Sequence, residues 1–305
     1  MRYVAKSSND HQPSSLQRSQ QLAELTQINI HDLLGGLGLD RIQRGRRFFE
    51  VLCHLPARRF AAQVAAYDDL VGTDGLQAGG RWALQKFAPR WKIDNQEHVP
   101  VTGPTLIVAN HPGLCDTVAL FTAIARPDLR IVAADRQFLR ALPHTYRHLL
   151  VVDETSASRL TAIRAVARHL RQGGAVLTFP SGQIDPDPAV LPGAIEALEQ
   201  WSLSIELFVR LAGNVTIVPA IVSGVLSSAA LRHPLTYLRR RPKDRQWLAA
   251  LLQIQFRSLQ SETVQVMFGQ PLHIRSEAEQ QMVFVSEAVK AEARRLLEQI
   301  QRKGN

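Results

Sequence analysis

The sequence predicts an α/β protein: a central, mostly parallel or mixed sheet flanked by helices and preceded by a small N-terminal helical region. Two observations predict it. From residue 91 onwards, short runs rich in β-branched residues alternate with amphipathic runs of helical period, as in strands joined by crossover helices. Before residue 90, apolar residues recur at intervals of three and four without strand-like alternation, which indicates helices alone.

The chain divides into three predicted parts. Residues 1–20 are polar, rich in Ser and Gln, and lack the apolar core of a secretory signal peptide, so we expect a disordered arm. Residues 21–90 form the helical region, in which Pro56 would end one helix and begin the next. Residues 91–305 form the α/β domain.

Strands and helices alternate along the α/β domain. The predicted strands are 105–110, 130–134, 149–153, 175–180, 215–222 and 263–269. The predicted helices are 113–125, 136–142, 157–172, 193–201, 244–259 and 279–302. Ligands of open parallel sheets bind beyond the carboxyl ends of the strands. His111 and the segment 179–182 lie at or just past predicted strand ends, so we expect the site there.

The charge of the chain is unevenly distributed. The formal net charge is +9, and between residues 232 and 245 six Lys or Arg stand against one Asp. Such a block suits a solvated face, an anionic membrane surface or nucleic acid. No aromatic RNA-binding signature, zinc-finger spacing or clear helix-turn-helix pattern accompanies it. We therefore expect no nucleic-acid partner, and we predict peripheral membrane association through this block and the apolar residues that follow it.

The cysteines and the longest uncharged stretch indicate in which cellular compartment the protein works and whether it crosses a membrane. Cys53 and Cys115 are the only cysteines and lack the spacing of a metal site, which is typical of a reducing compartment. We therefore expect a cytoplasmic protein without a bound metal. The stretch 211–231 is long enough to cross a bilayer. Because Asn214 and Pro219 interrupt it, we predict a buried strand followed by a loop instead.

The segment "NHPGLCD" carries the first candidate catalytic pair. Pro112 can begin a helix, and Asp116 would then lie in its first turn, folded back towards His111. A His whose Nδ1–H is held by a carboxylate leaves Nε2 free as a general base. The alternative is a helix-capping or structural histidine. His148 and Asp153 share this spacing, but we expect them on opposite faces of a strand, where they cannot pair.

Four segments, in this order, resemble the motifs of the glycerolipid acyltransferase family, which includes glycerol-3-phosphate and lysophosphatidate acyltransferases. They are "NHPGLCD", "VAADRQFLRALP" with the following "LLVVD", "LTFPSGQ" and "IVPAIVSG". The similarity covers about residues 95 to 275. The first resembles the family's His-x4-Asp motif, and the third is a Pro-Ser-Gly variant similar to the soluble plastid-type branch.

The resemblance implies a chemistry and a set of residues. An acyl thioester of coenzyme A or acyl carrier protein would be attacked directly by an acceptor hydroxyl, without an acyl-enzyme and without a cofactor. His111 would be the base and Asp116 its orienting partner. Backbone N–H groups after the His or near Gly182 would stabilise the oxyanion. The residues expected to contact substrate are Gly113, Phe179, Pro180, Ser181, Gly182, Gln183 and Arg136.

Two departures from the family pattern concern the acceptor. Glu154 stands where most members have Arg, and the pair Gln183-Ile184 stands where they have Thr-Arg. Those arginines are the family's expected clamp for an acceptor phosphate. The departure predicts a weaker grip on a phosphate-bearing acceptor. Four arginines are candidate substitutes: Arg136, Arg140, Arg159 and Arg164. The segment "FPSG" also has a plainer interpretation, as a strand that ends in a turn.

The sequence thus leaves more than one function open. The first is a peripheral membrane acyltransferase whose partners are an acyl thioester donor, acyl carrier protein among the possible carriers, a lipid or small hydroxylated acceptor, and an anionic membrane surface. The second is a non-catalytic lipid- or acyl-binding protein that keeps the fold. A nucleic-acid-binding protein would explain the charge but none of the four motifs.

Overall fold

The computed structural model describes residues 15–39, 45–153, 155–274 and 284–304. Its fold confirms the predicted class: a mixed, mostly parallel sheet of eight strands, flanked by helices and preceded by a helical region. The strands are β1 (Trp91–Asp94), β2 (Thr105–Ala109), β3 (Arg130–Ala134), β4 (Leu149–Val152), β5 (Ala175–Thr178), β6 (Val215–Ser223), β7 (Val264–Phe268) and β8 (Leu272–Ile274).

The α-helices complete the described part of the chain. They are α1 (Ser15–Leu37), α2 (Arg46–Phe87), α3 (Asp116–Ala123), α4 (Gln137–Arg140), α5 (Pro143–Tyr146), α6 (Ser156–Arg171), α7 (Ala194–Ala197), α8 (Ser204–Ala212), α9 (Ser228–Leu231), α10 (Pro242–Gln255) and α11 (Val285–Gly304). Short 3-10 helices occur at Gln96–His98, Leu198–Gln200, Pro234–Leu238 and Arg257–Leu259.

The strand order is β1-β7-β6-β2-β5-β3-β4, with β8 also paired to β6. The run from β6 to β4 is parallel, whereas β7 and β8 pair antiparallel with β6. In β2 all five residues are buried, since helices cover both faces of the sheet. Alternate side chains pack with α2 and α3 on one face and with α6, α8 and α11 on the other.

The N-terminal helical region differs from its prediction at two points. Helix α1 begins at Ser15, so residues 15–20 of the predicted arm are helical, and residues 1–14 lie outside the described residues. Helix α2 also continues through Pro56, because its packing against α1 holds that turn in place. The break falls instead at Gly75, whose φ of 85° and ψ of 174° are not helical.

Five of the described strands and α-helices were missed by the sequence prediction. Strand β1 and strand β8 have four and three residues, too few for a clear alternation of apolar and polar positions. Helices α5, α8 and α9 were also missed. Elsewhere the predicted elements exist and most differences lie at their ends, while the start of the last predicted helix falls outside the described residues.

The uncharged stretch 211–231 is a buried strand and a loop, as predicted. It contains β6, in which eight of the nine residues are buried, and the short helix α9. Among the helices of the described residues, none combines the length and the apolar character needed to cross a membrane.

One buried arginine holds the amino ends of two central strands together. Arg126 is 5% exposed and donates to the carbonyl oxygens of Pro100, Gly103 and Gly173, in the segments that lead into β2 and β5. It also forms a two-point ion pair with Asp128, which lowers the pKa of that carboxyl. No feature of the sequence marks this residue.

We expect Arg126→Ala to lower the free energy of unfolding by about 3–5 kcal/mol, because it leaves buried carbonyl groups and a carboxylate without their donor. Urea unfolding should show a lower midpoint with an unchanged slope. The matched control is Arg18→Ala, which removes a largely exposed ion pair with Asp69 and should cost less than about 1 kcal/mol. Equal losses in the two variants would contradict this account of Arg126.

Candidate active site

The carboxyl ends of three neighbouring parallel strands meet at one edge of the sheet. Strand β2 lies between β5 and β6, and the chain after each of them enters the candidate site. His111 follows β2 closely, Phe179 follows β5, and Gly224 follows β6 with a φ of 71°. The segments that carry His111 and Phe179 therefore lie at the same edge of the sheet.

Asn110 fixes the point at which β2 ends. Its side-chain amide donates to the carbonyl of Val222 at 2.9 Å, and its side-chain oxygen accepts from the N–H of Val222 at 2.7 Å. The buried side chain therefore replaces one step of the backbone ladder between β2 and β6. Asn110 is thereby held against β6, and the main chain turns away from the sheet at His111.

The structure brings His111 and Asp116 together. His111 Nδ1 lies 2.7 Å from Asp116 Oδ2, and Asp116 is fully buried in the first turn of α3. The carboxylate also accepts from the N–H of Gly113 at 3.0 Å, and from the N–H and the hydroxyl of Thr117. These donors hold both carboxylate oxygens in place, so the imidazole has a fixed partner for Nδ1.

A second carboxylate, which the sequence prediction missed, holds the backbone of His111. Asp185 Oδ2 accepts from the N–H of His111 at 2.9 Å, and the N–H of Asp185 donates to the carbonyl of His111 at 2.9 Å. Asp185 is 4% exposed. Because the contact joins two segments that are far apart in sequence, no local spacing indicates it.

Burial and the two carboxylates act on the pKa of His111 in opposite directions. Burial is the largest single influence and lowers it, but the charge and hydrogen bond of Asp116, together with the charge of Asp185, outweigh burial. The pKa of His111 is therefore raised. Burial also raises the pKa of Asp185. The ring of Phe179 lies against the imidazole, with centroids 4.7 Å apart.

The segment Pro180–Gln183 forms a tight turn beyond β5. Gly182 has a φ of 64°, and the Ser181 hydroxyl donates to the carbonyl of Gln183 at 3.0 Å. The carbonyl of Pro180 accepts from the N–H of Ser202. These contacts are typical of a strand that ends in a turn. Gln183 and Ile184, at the end of this turn, line the neighbouring cavity.

Two of the backbone groups expected to stabilise an oxyanion are already engaged. The N–H of Gly113 donates to Asp116, and the N–H of Gly182 donates to the carbonyl of Phe179 at 3.1 Å. In this conformation each of the two N–H groups has a local partner, and the stabilisation of an oxyanion by backbone groups near them stays a prediction.

A cavity of about 170 Å³ borders the segment after His111. Its walls come from the turn before α3, the turn after β5, the loop after β6, and α10. Its described lining is mostly apolar, with Lys243 as its single charged residue: Phe87, Pro112, Gly113, Leu114, Cys115, Gln183, Ile184, Val225, Leu226, Lys243, Gln246, Trp247, Ala250, Gln253 and Ile254. Of the residues expected to contact substrate, Gly113 and Gln183 are therefore in this lining.

The candidate substitutes for the family arginines do not line this cavity. Arg136 is exposed at the start of α4, and Arg140 is paired with Asp135. Glu154 lies outside the described residues. The contribution of α10 to the site was missed, since the sequence prediction treated its apolar residues as a membrane contact and the structure buries several of them.

The second His–Asp spacing forms no pair, as the sequence predicts. His148 is close to the carbonyl of Leu129, whereas Asp153 accepts from Thr155, so the second His–Asp spacing forms no pair. Cys115 lines the cavity. Burial raises the pKa of its thiol to about 12. Within the described ranges, no cluster of three His, Cys, Asp or Glu side chains suits a metal ion.

Comparison with known proteins gives two findings. A family model described as "Acyltransferase" matches residues 90–223. The chain is also similar to the solved structure of the 1-acyl-sn-glycerophosphate (LPA) acyltransferase PlsC from Thermotoga maritima, at 15% identity and a TM-score of 0.44, covering 94% of this chain and 95% of that chain. No curated protein gives a significant match.

Proposed function

Since a model of the acyltransferase family matches residues 90–223, we propose that this protein transfers a fatty acyl group from an acyl thioester to a hydroxyl of a glycerolipid or related acceptor. The observation that carries the proposal is the imidazole of His111, held at 2.7 Å by the fully buried Asp116 at the end of a central strand, while the four residues that follow His111 line a cavity. The donor would be acyl-coenzyme A or the acyl form of acyl carrier protein.

The proposed reaction is a direct transfer. Nε2 of His111 takes the proton of the acceptor hydroxyl while the hydroxyl oxygen forms a bond to the thioester carbonyl carbon. The tetrahedral intermediate then expels the thiolate, and the proton on Nε2 passes to that sulfur. One ester and one thiol are formed, and Asp116 stabilises the imidazolium that exists between the two proton transfers.

One observation favours the alternative of a non-catalytic acyl- or lipid-binding protein. The N–H groups of Gly113 and Gly182 are engaged by the protein itself, so a catalytic site would need other oxyanion donors or a local rearrangement on binding substrate. A screen of hydroxylated acceptors with radiolabelled palmitoyl-coenzyme A decides between the two. Label in an ester product supports the enzyme, whereas binding of palmitoyl-coenzyme A without any labelled ester supports the alternative.

We also propose that the protein works in the cytoplasm at an anionic membrane surface. In the first turns of α2, Phe48, Val51, Leu52 and Leu55 are 55–76% exposed at the spacing of one helical face. Four exposed arginines flank them: Arg46, Arg47, Arg58 and Arg59. An apolar face rimmed by basic residues suits the boundary between head groups and acyl chains. In the basic block, Tyr237 and Leu238 are also exposed.

We expect Leu52→Glu to reduce the partition of the protein onto phosphatidylglycerol vesicles by about tenfold or more, since it removes an apolar contact and adds a repulsive charge. High salt should release the wild-type protein. The matched control is Leu160→Glu on α6, where the leucine is 56% exposed outside this surface. Cosedimentation with vesicles measures all three. An equal reduction in both variants would count against α2 as the contact.

A further inference from the structure

The segment that follows the turn after β5 alternates aspartate and proline over residues 185–188. Each proline fixes its own φ near about −65° and keeps the residue before it out of the helical region, so the segment is stiffer than an ordinary loop. It carries two carboxylates, Asp185 and Asp187, which are 4% and 0% exposed. Within the described residues neither of them forms a salt bridge, so both must be held by neutral groups.

Asp185 is bonded to the main chain of the proposed base. Its Oδ2 accepts from the N–H of His111 at 2.9 Å, and its own N–H donates to the carbonyl of His111 at 2.9 Å. Its side chain also meets the hydroxyl of Ser181, a group that can donate or accept. An asparagine at this place could therefore keep the contacts with His111 and turn its NH₂ towards the hydroxyl.

Asp187 is bonded to the loop after β6. Its Oδ1 accepts from the N–H groups of Ala189 and Gly224 at 3.0 and 2.9 Å, and its Oδ2 accepts from the N–H of Leu226 at 2.8 Å. Both oxygens of this carboxylate thus face donors. An asparagine at this place would turn its NH₂ towards an N–H group and lose at least one of these contacts.

The loop after β6 forms one wall of the cavity and reaches the chain that follows His111. Val225 and Leu226 line the cavity, and a Cβ added to Gly113 would lie 3.4 Å from Cγ1 of Val225. Gln253 of α10 donates to the carbonyl of Val225 at 2.9 Å. Side chains of other segments therefore fix the place of this wall.

We propose that Asp185 and Asp187 are positioning residues, which fix the proposed base and the cavity wall relative to each other through the stiff segment between them. The proposal rests on the proposed acyl transfer and adds two residues to its site. Asp185 acts through the main chain of His111 on the step in which the acceptor loses its proton. Asp187 acts through Val225 and Leu226 on the substrate that fills the cavity. The first should therefore affect kcat, and the second KM.

The test measures kcat and KM of full-length variants for palmitoyl-coenzyme A and for lysophosphatidate. Asp185→Ala should lower kcat about 10–100-fold with each KM within about threefold, because a small misplacement of a catalytic group is costly. Asp185→Asn should restore kcat to within about fivefold of wild type. Asp187→Asn should raise KM for one of the two substrates about tenfold and leave kcat within about threefold.

The matched control is Asp68→Asn on α2. Asp68 is also 0% exposed, and its two oxygens accept from the N–H groups of His144 and Thr145, but it does not line the cavity. This variant should lose stability towards urea and keep kcat and each KM within about twofold. The proposal is overturned by equal kinetic effects in Asp68→Asn and Asp187→Asn, by an Asp185→Asn as slow as Asp185→Ala, or by a lower kcat with unchanged KM in Asp187→Asn.

Hydrogen exchange of the backbone amides gives a readout without turnover. Asp185→Ala should speed exchange at the N–H of His111 by about tenfold or more, and Asp187→Asn should do so at Gly224 and Leu226. These changes in a protein that forms no ester would support the positioning contacts and refute the acyl transfer, whereas unchanged exchange in both variants would overturn the proposal. If Asp187→Asn does not fold, Val225→Ala removes part of the wall directly and should raise KM in the same way; an unchanged KM there would also overturn it.

Discussion

Replacement of His111 by alanine should reduce acyl transfer by about 10²–10⁴-fold while the fold is retained. The imidazole is 29% exposed and lies at the end of β2, so its loss leaves the buried ladder between β2 and β6 intact. The acceptor hydroxyl loses the group that takes its proton. The measurement is the rate of ester formation at saturating donor and acceptor, with circular dichroism as the check on folding.

A matched control exists in the same chain, because His148 and Asp153 repeat the spacing without forming a pair. His148→Ala should leave the rate within about threefold of wild type, since its ring contacts a backbone carbonyl and no carboxylate. If the two histidine variants lose the same activity, His111 has no special part in the proton transfer.

Asp116→Asn should have the second largest effect, a loss of about 10²–10⁴-fold. Both carboxylate oxygens accept hydrogen bonds, from His111, Gly113 and Thr117. An amide NH₂ in this place would face one of these donors, so the ring would lose its orientation and its counter-charge. Asp153→Asn is the matched control and should retain near wild-type turnover.

The same variant should change the pH dependence. In the wild-type protein the pKa of His111 is raised above its ordinary value of about 6.5, and only the neutral imidazole accepts a proton. The rate constant kcat/KM should therefore rise with pH through an apparent pKa above 6.5. Asp116→Asn removes the charge of Asp116, which raises the pKa of His111. The acidic limb of the kcat/KM profile should therefore move to lower pH. If the acidic limb of Asp116→Asn stays at the wild-type pH, a group other than His111 controls the pH dependence.

The parts of the site that the sequence predicted are those made by local chain geometry. A strand that ends before His111, a helix that starts after Pro112 and an Asp in its first turn suffice to bring the two side chains together. The alternation of strands and helices likewise predicts the sheet edge at which Phe179 and Gly182 lie.

The parts that the sequence could not predict depend on distant contacts. Asp185 meets His111 across 74 residues, and Lys243 meets Gln183 across 60, so neither pair leaves a spacing to read. Pro56 misled the prediction because tertiary packing of α2 against α1 overrides a local helix-breaking preference. The apolar residues of α10 suggested a membrane contact, whereas they line the cavity and pack against α1.

The central claim, direct transfer promoted by the His111–Asp116 pair, is tested most directly by measuring thiol release and ester formation in the same reaction. With palmitoyl-coenzyme A and a hydroxylated acceptor, the account predicts one free thiol for each ester formed, no burst of thiol when the acceptor is omitted, and loss of both products in His111→Ala. A stoichiometric burst without acceptor would indicate an acyl-enzyme, and unchanged ester formation by His111→Ala would remove the proposed base; either result would contradict the account.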